Sequence, residues 1–190
     1  MKRTLTICSV FCALMFIVAA VSAQKGVNFA GTWELDKAKS QLPQRQADSI
    51  KSSTWTVTQD DKQLTNEQKT ERAEGAAGGG GGGGGGRGGG GGGRGGGFGM
   101  GGGNLAVKLD GSETTTENQG GKTSTKAKWT NDGKTLEITS VRSGEFQGNA
   151  FTMTTTEQWE LADGGKTLKV HRKAETQRGP QESTWVLTKK

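Results

Sequence analysis

Apolar and polar residues alternate with a period of two along most of this chain. Gly31-Thr32-Trp33-Glu34-Leu35-Asp36 does so, as does Thr54-Trp55-Thr56-Val57-Thr58-Gln59, which runs through Asp60-Asp61 into Gln63-Leu64-Thr65-Asn66. Such a period sends successive side chains to opposite faces, so each run predicts a strand with one buried side. Asn104 to Leu109 ends at Asp110-Gly111, a pair that tolerates the positive φ of a tight turn, and Glu113 to Glu117 fits the returning strand. The C-terminal half nearly repeats itself: WTNDGKTLEI at 129–138 and WELADGGKTLKV at 159–170 each carry a tryptophan, an Asp-Gly turn and a returning strand. Ser183-Thr184-Trp185 resembles Ser53-Thr54-Trp55 and supplies a final strand. One short helix is expected after Pro43, near Gln44 to Lys51. About nine or ten short strands at this spacing predict an all-β fold, an antiparallel up-and-down meander closing into a barrel or a sandwich.

The alternation also assigns faces. Trp33 with Leu35, Trp55 with Val57, Ala127 with Trp129, Leu136 with Ile138, Leu168 with Val170 and Trp185 with Leu187 mark the inward side. The strand from Phe151 is less regular: Phe151, Met153, Thr155, Glu157, Trp159 and Leu161 share a face that is apolar at both ends and polar in the middle. With two or three apolar residues per strand, the core fills one end of a barrel more readily than its full length. A cavity lined partly by threonine at the other end and a shallow filled core both fit this pattern.

One stretch breaks the alternation. Residues 75–103 hold most of the chain's 34 glycines, with Arg87, Arg94, Phe98 and Met100 among them. Glycine has no side chain to bury and loses the most backbone freedom on ordering, so a disordered, low-complexity loop insertion is expected. Loop-closure entropy rises slowly with length, so a β domain tolerates it. Two Gly-Arg-Gly-Gly stretches resemble RNA-binding RGG segments but are few, and no helix pattern follows to make a phosphate-binding loop.

The N-terminus sets the compartment. Lys2 and Arg3 precede an apolar run from Ile7 to Ala20, and Val21-Ser22-Ala23 supplies a small-residue cleavage site. Residues 1–23 therefore read as a signal peptide, and 24–190 as one exported β domain, periplasmic or extracellular, interrupted by 75–103. The apolar run is short for a bilayer span, and no transmembrane span is expected after cleavage. Both cysteines, Cys8 and Cys12, leave with the leader, so neither a disulfide framework nor thiol chemistry is expected. Lys2 and Arg3 leave too, so 25 basic against 19 acidic side chains become 23 against 19. The positive charge is scattered rather than blocked, which does not point to nucleic acid.

Candidate chemistry is sparse. His171 is the only histidine and sits between Val170 and Arg172 late in a strand; no His/Cys metal set remains, and no residue pattern implies a cofactor. The carboxylates of Gln59-Asp60-Asp61 and of the Asp-Gly turns read as turn formers. Glu157, among inward-pattern residues, is the unusual carboxylate. Catalysis would need a buried polar cluster around His171, Glu157 or Arg142, and no catalytic constellation is visible.

The stretch Phe29-Ala30-Gly31-Thr32-Trp33-Glu34-Leu35-Asp36-Lys37-Ala38-Lys39-Ser40, with its G-x-W start and Lys-Ser after the strand, resembles the opening of small exported bacterial β-barrel proteins described as lipocalin-like. The Asp-Gly-Lys-Thr-Leu hairpins are similar to the same group. The resemblance implies a lipocalin-like barrel or strongly bent sheet, closed where Gly31 and Trp33 pack. It also implies a late arginine over the first-strand tryptophan, for which Arg172 is the candidate, and a small apolar ligand at the other end. The lipocalin Thr-Asp-Tyr segment is missing, since the chain has no tyrosine.

The expected function is a non-enzymatic exported binding protein for a small apolar or amphipathic ligand, with Trp55, Met153, Glu157, Trp159 and Trp185 as candidate ligand-binding residues. The alternative is an envelope or extracellular interaction protein with a filled core, whose contacts with an envelope component come from loops or the glycine tract.

Overall fold

A computed structural model describes residues 26–73, 104–118, 121–146, 148–176 and 179–190. The expected signal peptide, residues 1–23, and the glycine tract, residues 75–103, lie outside the described residues. The fold is all-β: ten antiparallel strands in one sheet form a nearly closed barrel. The strands are β1 (Gly31–Leu35), β2 (Ile50–Gln59), β3 (Gln63–Arg72), β4 (Leu105–Lys108) and β5 (Thr114–Asn118), then β6 (Gly121–Thr130), β7 (Thr135–Phe146), β8 (Asn149–Ala162), β9 (Thr167–Thr176) and β10 (Gly179–Lys189). Helix α1 (Gln44–Ser49) lies where Pro43 predicts it and buries none of its residues.

Apart from β4 and β5, each strand pairs with its neighbour in sequence, and β1 pairs with β10, joining the first strand to the last. The one seam among the described strands falls between β4 and β5. Asp110-Gly111 does reverse the chain, with Gly111 at φ +81°. The expected hairpin ladder across that turn does not form: β4 bonds only to β3 and β5 only to β6. Four residues of β4 cover Gln63–Asn66 of β3, and among the described residues the rest of β3 has no partner on that side.

The internal repeat is real in the backbone, but its register comes from the turn. Asn131–Gly133 and Asp163–Gly165 are matching 3₁₀ turns with positive φ at every residue, which suits Asn, Asp and Gly. Counted from the turns, Trp129 corresponds to Leu161 and Trp159 to Ala127: Trp129 faces Leu136 and Leu161 faces Leu168, while Ala127 faces Ile138 and Trp159 faces Val170. The two tryptophans that look equivalent in sequence therefore do different jobs.

Along β6 to β10 the inward face changes character part-way. Ala127 and Trp129 give way to Thr125 and Thr123; Leu136 and Ile138 to Ser140 and Arg142; Leu161 and Trp159 to Glu157 and Thr155; Leu168 and Val170 to Arg172 and Ala174; Leu187 and Trp185 to Ser183. Cross-strand pairing aligns these changes, with Ile138 opposite Glu157, Glu157 opposite Arg172 and Arg172 opposite Ser183. The barrel thus has an apolar end and a polar end.

The apolar end is plugged. Residues 26–30 cross it, held by Val27 N donating to Gly133 O (2.9 Å), Gln59 Nε2 to Val27 O (3.0 Å) and Phe29 N to Gln59 Oε1 (2.9 Å). Phe29 is fully buried between Trp129, stacked at 6.0 Å, and the edge of Trp159 at 5.8 Å. Aromatic pairs of this geometry contribute about 0.5–1.5 kcal/mol beyond the area they bury.

Candidate functional site

The residues singled out by the sequence fall on both sides of the boundary between the two ends. Trp55, Trp159 and Trp185 pack as one cluster, with ring centroids 5.6 Å apart for Trp55–Trp159 and 5.5 Å for Trp55–Trp185. Their relative exposures are 0%, 0% and 1%. As the barrel stands, these indoles are core and have no surface left for a ligand. The similar segments around Trp55 and Trp185 lie on β2 and β10, the two neighbours of β1, which is why the rings meet.

Glu157 and Arg172 lie beside this cluster as cross-strand partners on β8 and β9. Arg172 donates from Nη2 (2.6 Å) and Nε (2.8 Å) to Glu157 Oε1, and Trp159 Nε1 donates to Glu157 Oε2 (2.9 Å). Three donors on one carboxylate offset much of the cost of burying it. The guanidinium sits 5.7 Å over the Trp185 ring. Arg172 therefore does not cover Trp33. The cation over Trp33 is Lys189, 5.3 Å from its ring, while Trp33 Nε1 donates to Phe29 O (2.9 Å). Lys189 reaches Trp33 because the two are β1–β10 partners, whereas Arg172 lies two strands away on β9. Gly31 leaves room for Lys189: a Cβ there would stand 2.8 Å from Lys189 Cε, and its φ of +149° disfavours any side chain.

The motif after β1 is structural. Asp36 pairs with Lys39 at 3.0 Å, and this partner holds its carboxyl below the usual range. Ser40 Oγ donates to Asp36 O (2.7 Å) and accepts from Val186 N (2.9 Å), and Lys37 Nζ donates to Ile50 O (2.6 Å).

Beyond the ion pair the interior is polar. Thr114, Thr125, Ser140 and Thr155 are successive cross-strand partners on β5 to β8, with Thr125 Oγ1 and Ser140 Oγ 3.2 Å apart. The next rung toward the open end is Thr123, Arg142 and Met153. Arg142, Met153 and Thr155 are half-buried rather than buried, so this end keeps contact with solvent. On the far wall Ser53 bridges Trp55 Nε1 (3.2 Å) and the Thr70 hydroxyl (3.0 Å). Three residues have buried polar atoms with no partner among the described residues: both amide atoms of Asn66, the Thr114 hydroxyl and the Trp185 indole N–H.

His171 alternates with Val170 and Arg172 and so faces outward, exposed, with Nδ1 3.2 Å from Thr184 Oγ1. It is on the opposite face of the wall from Glu157 and Arg142. Among the described residues, no three of His, Cys, Asp and Glu gather as a metal site, and no helix is long and apolar enough to cross a membrane. Asn66 and Arg142 were legible only as phases of their strands: Leu64-x-Asn66 and Leu136-x-Ile138-x-Ser140-x-Arg142 put both inward.

No family model matches the chain, and no curated protein matches it. Among solved structures, it is similar to zebrafish ileal bile acid-binding protein complexed with cholic acid, at 12% identity, with a TM-score of 0.46 over 85% of this chain and 98% of that one.

Proposed function

We propose that this is an exported, non-enzymatic binding protein whose barrel takes a small amphipathic ligand at its polar end. The observation that carries this reading is the pair of buried polar atoms facing the polar end that have no partner among the described residues, Thr114 Oγ1 and Trp185 Nε1; the unpartnered Asn66 amide lies opposite Val57 and Leu105, on the plugged side of the tryptophan cluster. A buried donor or acceptor left unsatisfied costs about 1–3 kcal/mol, and native interiors satisfy nearly all of them. Side chains so placed have their partners in a bound molecule or its accompanying water. The tryptophan cluster and the Glu157–Arg172 pair form the floor of this site; Met153, Thr155, Ser140 and Thr125 form its walls. Trp55, Trp159 and Trp185 then serve a ligand indirectly, by fixing the floor.

The test is native mass spectrometry of residues 24–190 purified from the envelope of its own host. Retention of a small molecule, lost on organic extraction and restored by adding the extract back, supports the proposal. A ligand-free protein that instead carries a protein partner favours the interaction-protein alternative.

A further inference from the structure

Two arginines point into the polar end, and they differ in one respect. Arg172 has its acid, with Glu157 Oε1 at 2.6 and 2.8 Å. Arg142 has none. It follows Leu136, Ile138 and Ser140 on the inward face of β7, half-buried, and its guanidinium lies 5.6 Å over the ring of Phe151. Among the described residues no carboxylate, carbonyl or hydroxyl accepts a hydrogen bond from it. A phenyl ring covers one face of the guanidinium but engages none of its five N–H donors, which lie in the plane. Its β6 partner is Thr123 and its β8 partner Met153; the next rung inward, Thr125 and Ser140, carries hydroxyls.

Resting on the ligand-binding reading above, we propose that the ligand is an amphipathic anion: an apolar body ending in one compact anionic group, carboxylate or phosphate ester, held by Arg142. A planar guanidinium with free donors matches such an oxyanion in a fork. The neighbouring hydroxyls of Thr123 and Ser140 can donate to the remaining oxygen atoms. Half-buried, Arg142 gives up only part of its hydration to a bound anion, so the gain comes from the paired bonds themselves. The apolar body then lies along Phe151 and Met153 toward the tryptophan floor.

The test titrates residues 24–190 by calorimetry with three probes of equal chain length, dodecanoate, dodecyl phosphate and dodecanol, each below its micelle-forming concentration. It uses the unaltered protein, Arg142→Gln, and Lys173→Gln as an outward-facing cation control. The expected result is that the anions bind about tenfold or more tighter than dodecanol. Arg142→Gln should abolish that preference while leaving dodecanol binding unchanged, and Lys173→Gln should alter neither. The ranking of carboxylate against phosphate distinguishes the two headgroups. Equal binding of all three probes by the unaltered protein overturns the anion proposal and leaves the binding-protein reading standing. Binding of none of them overturns both for ligands of this shape. If Arg142→Gln does not fold, the anion-to-alcohol ratio of the unaltered protein decides the question alone.

Discussion

The two ends of this barrel are built from the same ten strands and work in opposite ways. At one end the inward positions are apolar apart from Asn66, the backbone of residues 26–30 crosses the opening, and Phe29, Trp33, Leu136, Leu168 and Leu187 have no exposed surface. At the other, the inward positions are mainly hydroxyls, a salt-bridged pair and an arginine without an acid among the described residues, with Met153 and Ala174 between them, and several remain half-buried. The contrast teaches that a chain with little apolar content can still hold a barrel, if it concentrates that content at one level of nearly every strand; β5 alone among the described strands has no apolar residue. The remaining length of each strand is carried by backbone ladders and is free to vary in side-chain chemistry.

Substitution should separate the ends sharply. Trp159→Ala removes a fully buried indole that touches Phe29 and Trp55 and is expected to cost about 3–5 kcal/mol in urea unfolding. Thr155→Ala, on the same face of the same strand, should cost less than about 1 kcal/mol. If the two costs were equal, the division into a stabilising and a spare end would fail.

The boundary itself should be sensitive to half-removal. Glu157→Ala leaves Arg172 without its acid and Trp159 Nε1 without an acceptor. With side-chain exposures of 13% and 20%, a loss of about 2 kcal/mol is expected, below the range for fully buried pairs. The double change Glu157→Leu with Arg172→Met should recover most of it, because no charge is stranded. A double variant no better than the single one would show that the pair contributes more than mutual compensation.

Smaller again is Gly31→Ala, expected to cost roughly 1–2 kcal/mol in thermal or urea unfolding, because a φ of +149° strains any side chain whatever the space around it.

How much of this division was legible in sequence depends on the residue. The strands, α1 and the inward tryptophans follow from period-two alternation and from Pro43. The change from Ile138 to Ser140 or Val170 to Arg172 is visible too, once each strand is read for where its apolar run stops. The seam is not visible, because Asp110-Gly111 is a good turn whether or not its flanking strands pair. Nor is the true register of the repeat, since tryptophan is the more conspicuous residue but the Asn-Asp-Gly and Asp-Gly-Gly turns set the count. The cation over Trp33 is Lys189, since β1 pairs with the last strand, a contact made at the far end of the chain.

The smallest expected effect is on pH dependence, and it lies in the turns. Asp60 Oδ1 accepts from the amides of Lys62 and Gln63 at 2.7 Å each, and Asp110 Oδ1 from the Ser112 hydroxyl (2.6 Å) and amide (2.8 Å). These bonds hold both carboxyls below their usual range. A carboxyl depressed on folding contributes stability above its unfolded pKa of about 3.9, and that stability is lost as pH falls through the folded value. Unfolding midpoints should thus decline below about pH 4, and less so in Asp60→Asn with Asp110→Asn. An unchanged acid limb in that double variant would remove the turns from the account.

The most direct measurement is a methyl NMR titration of residues 24–190 with dodecanoate, the Met153 methyl set against those of Leu136, Leu168 and Leu187. The account predicts a saturable shift at Met153, in the polar end, with the three leucines at the plugged end unmoved. Saturable shifts at the leucines with Met153 unmoved would place the ligand at the wrong end and contradict it.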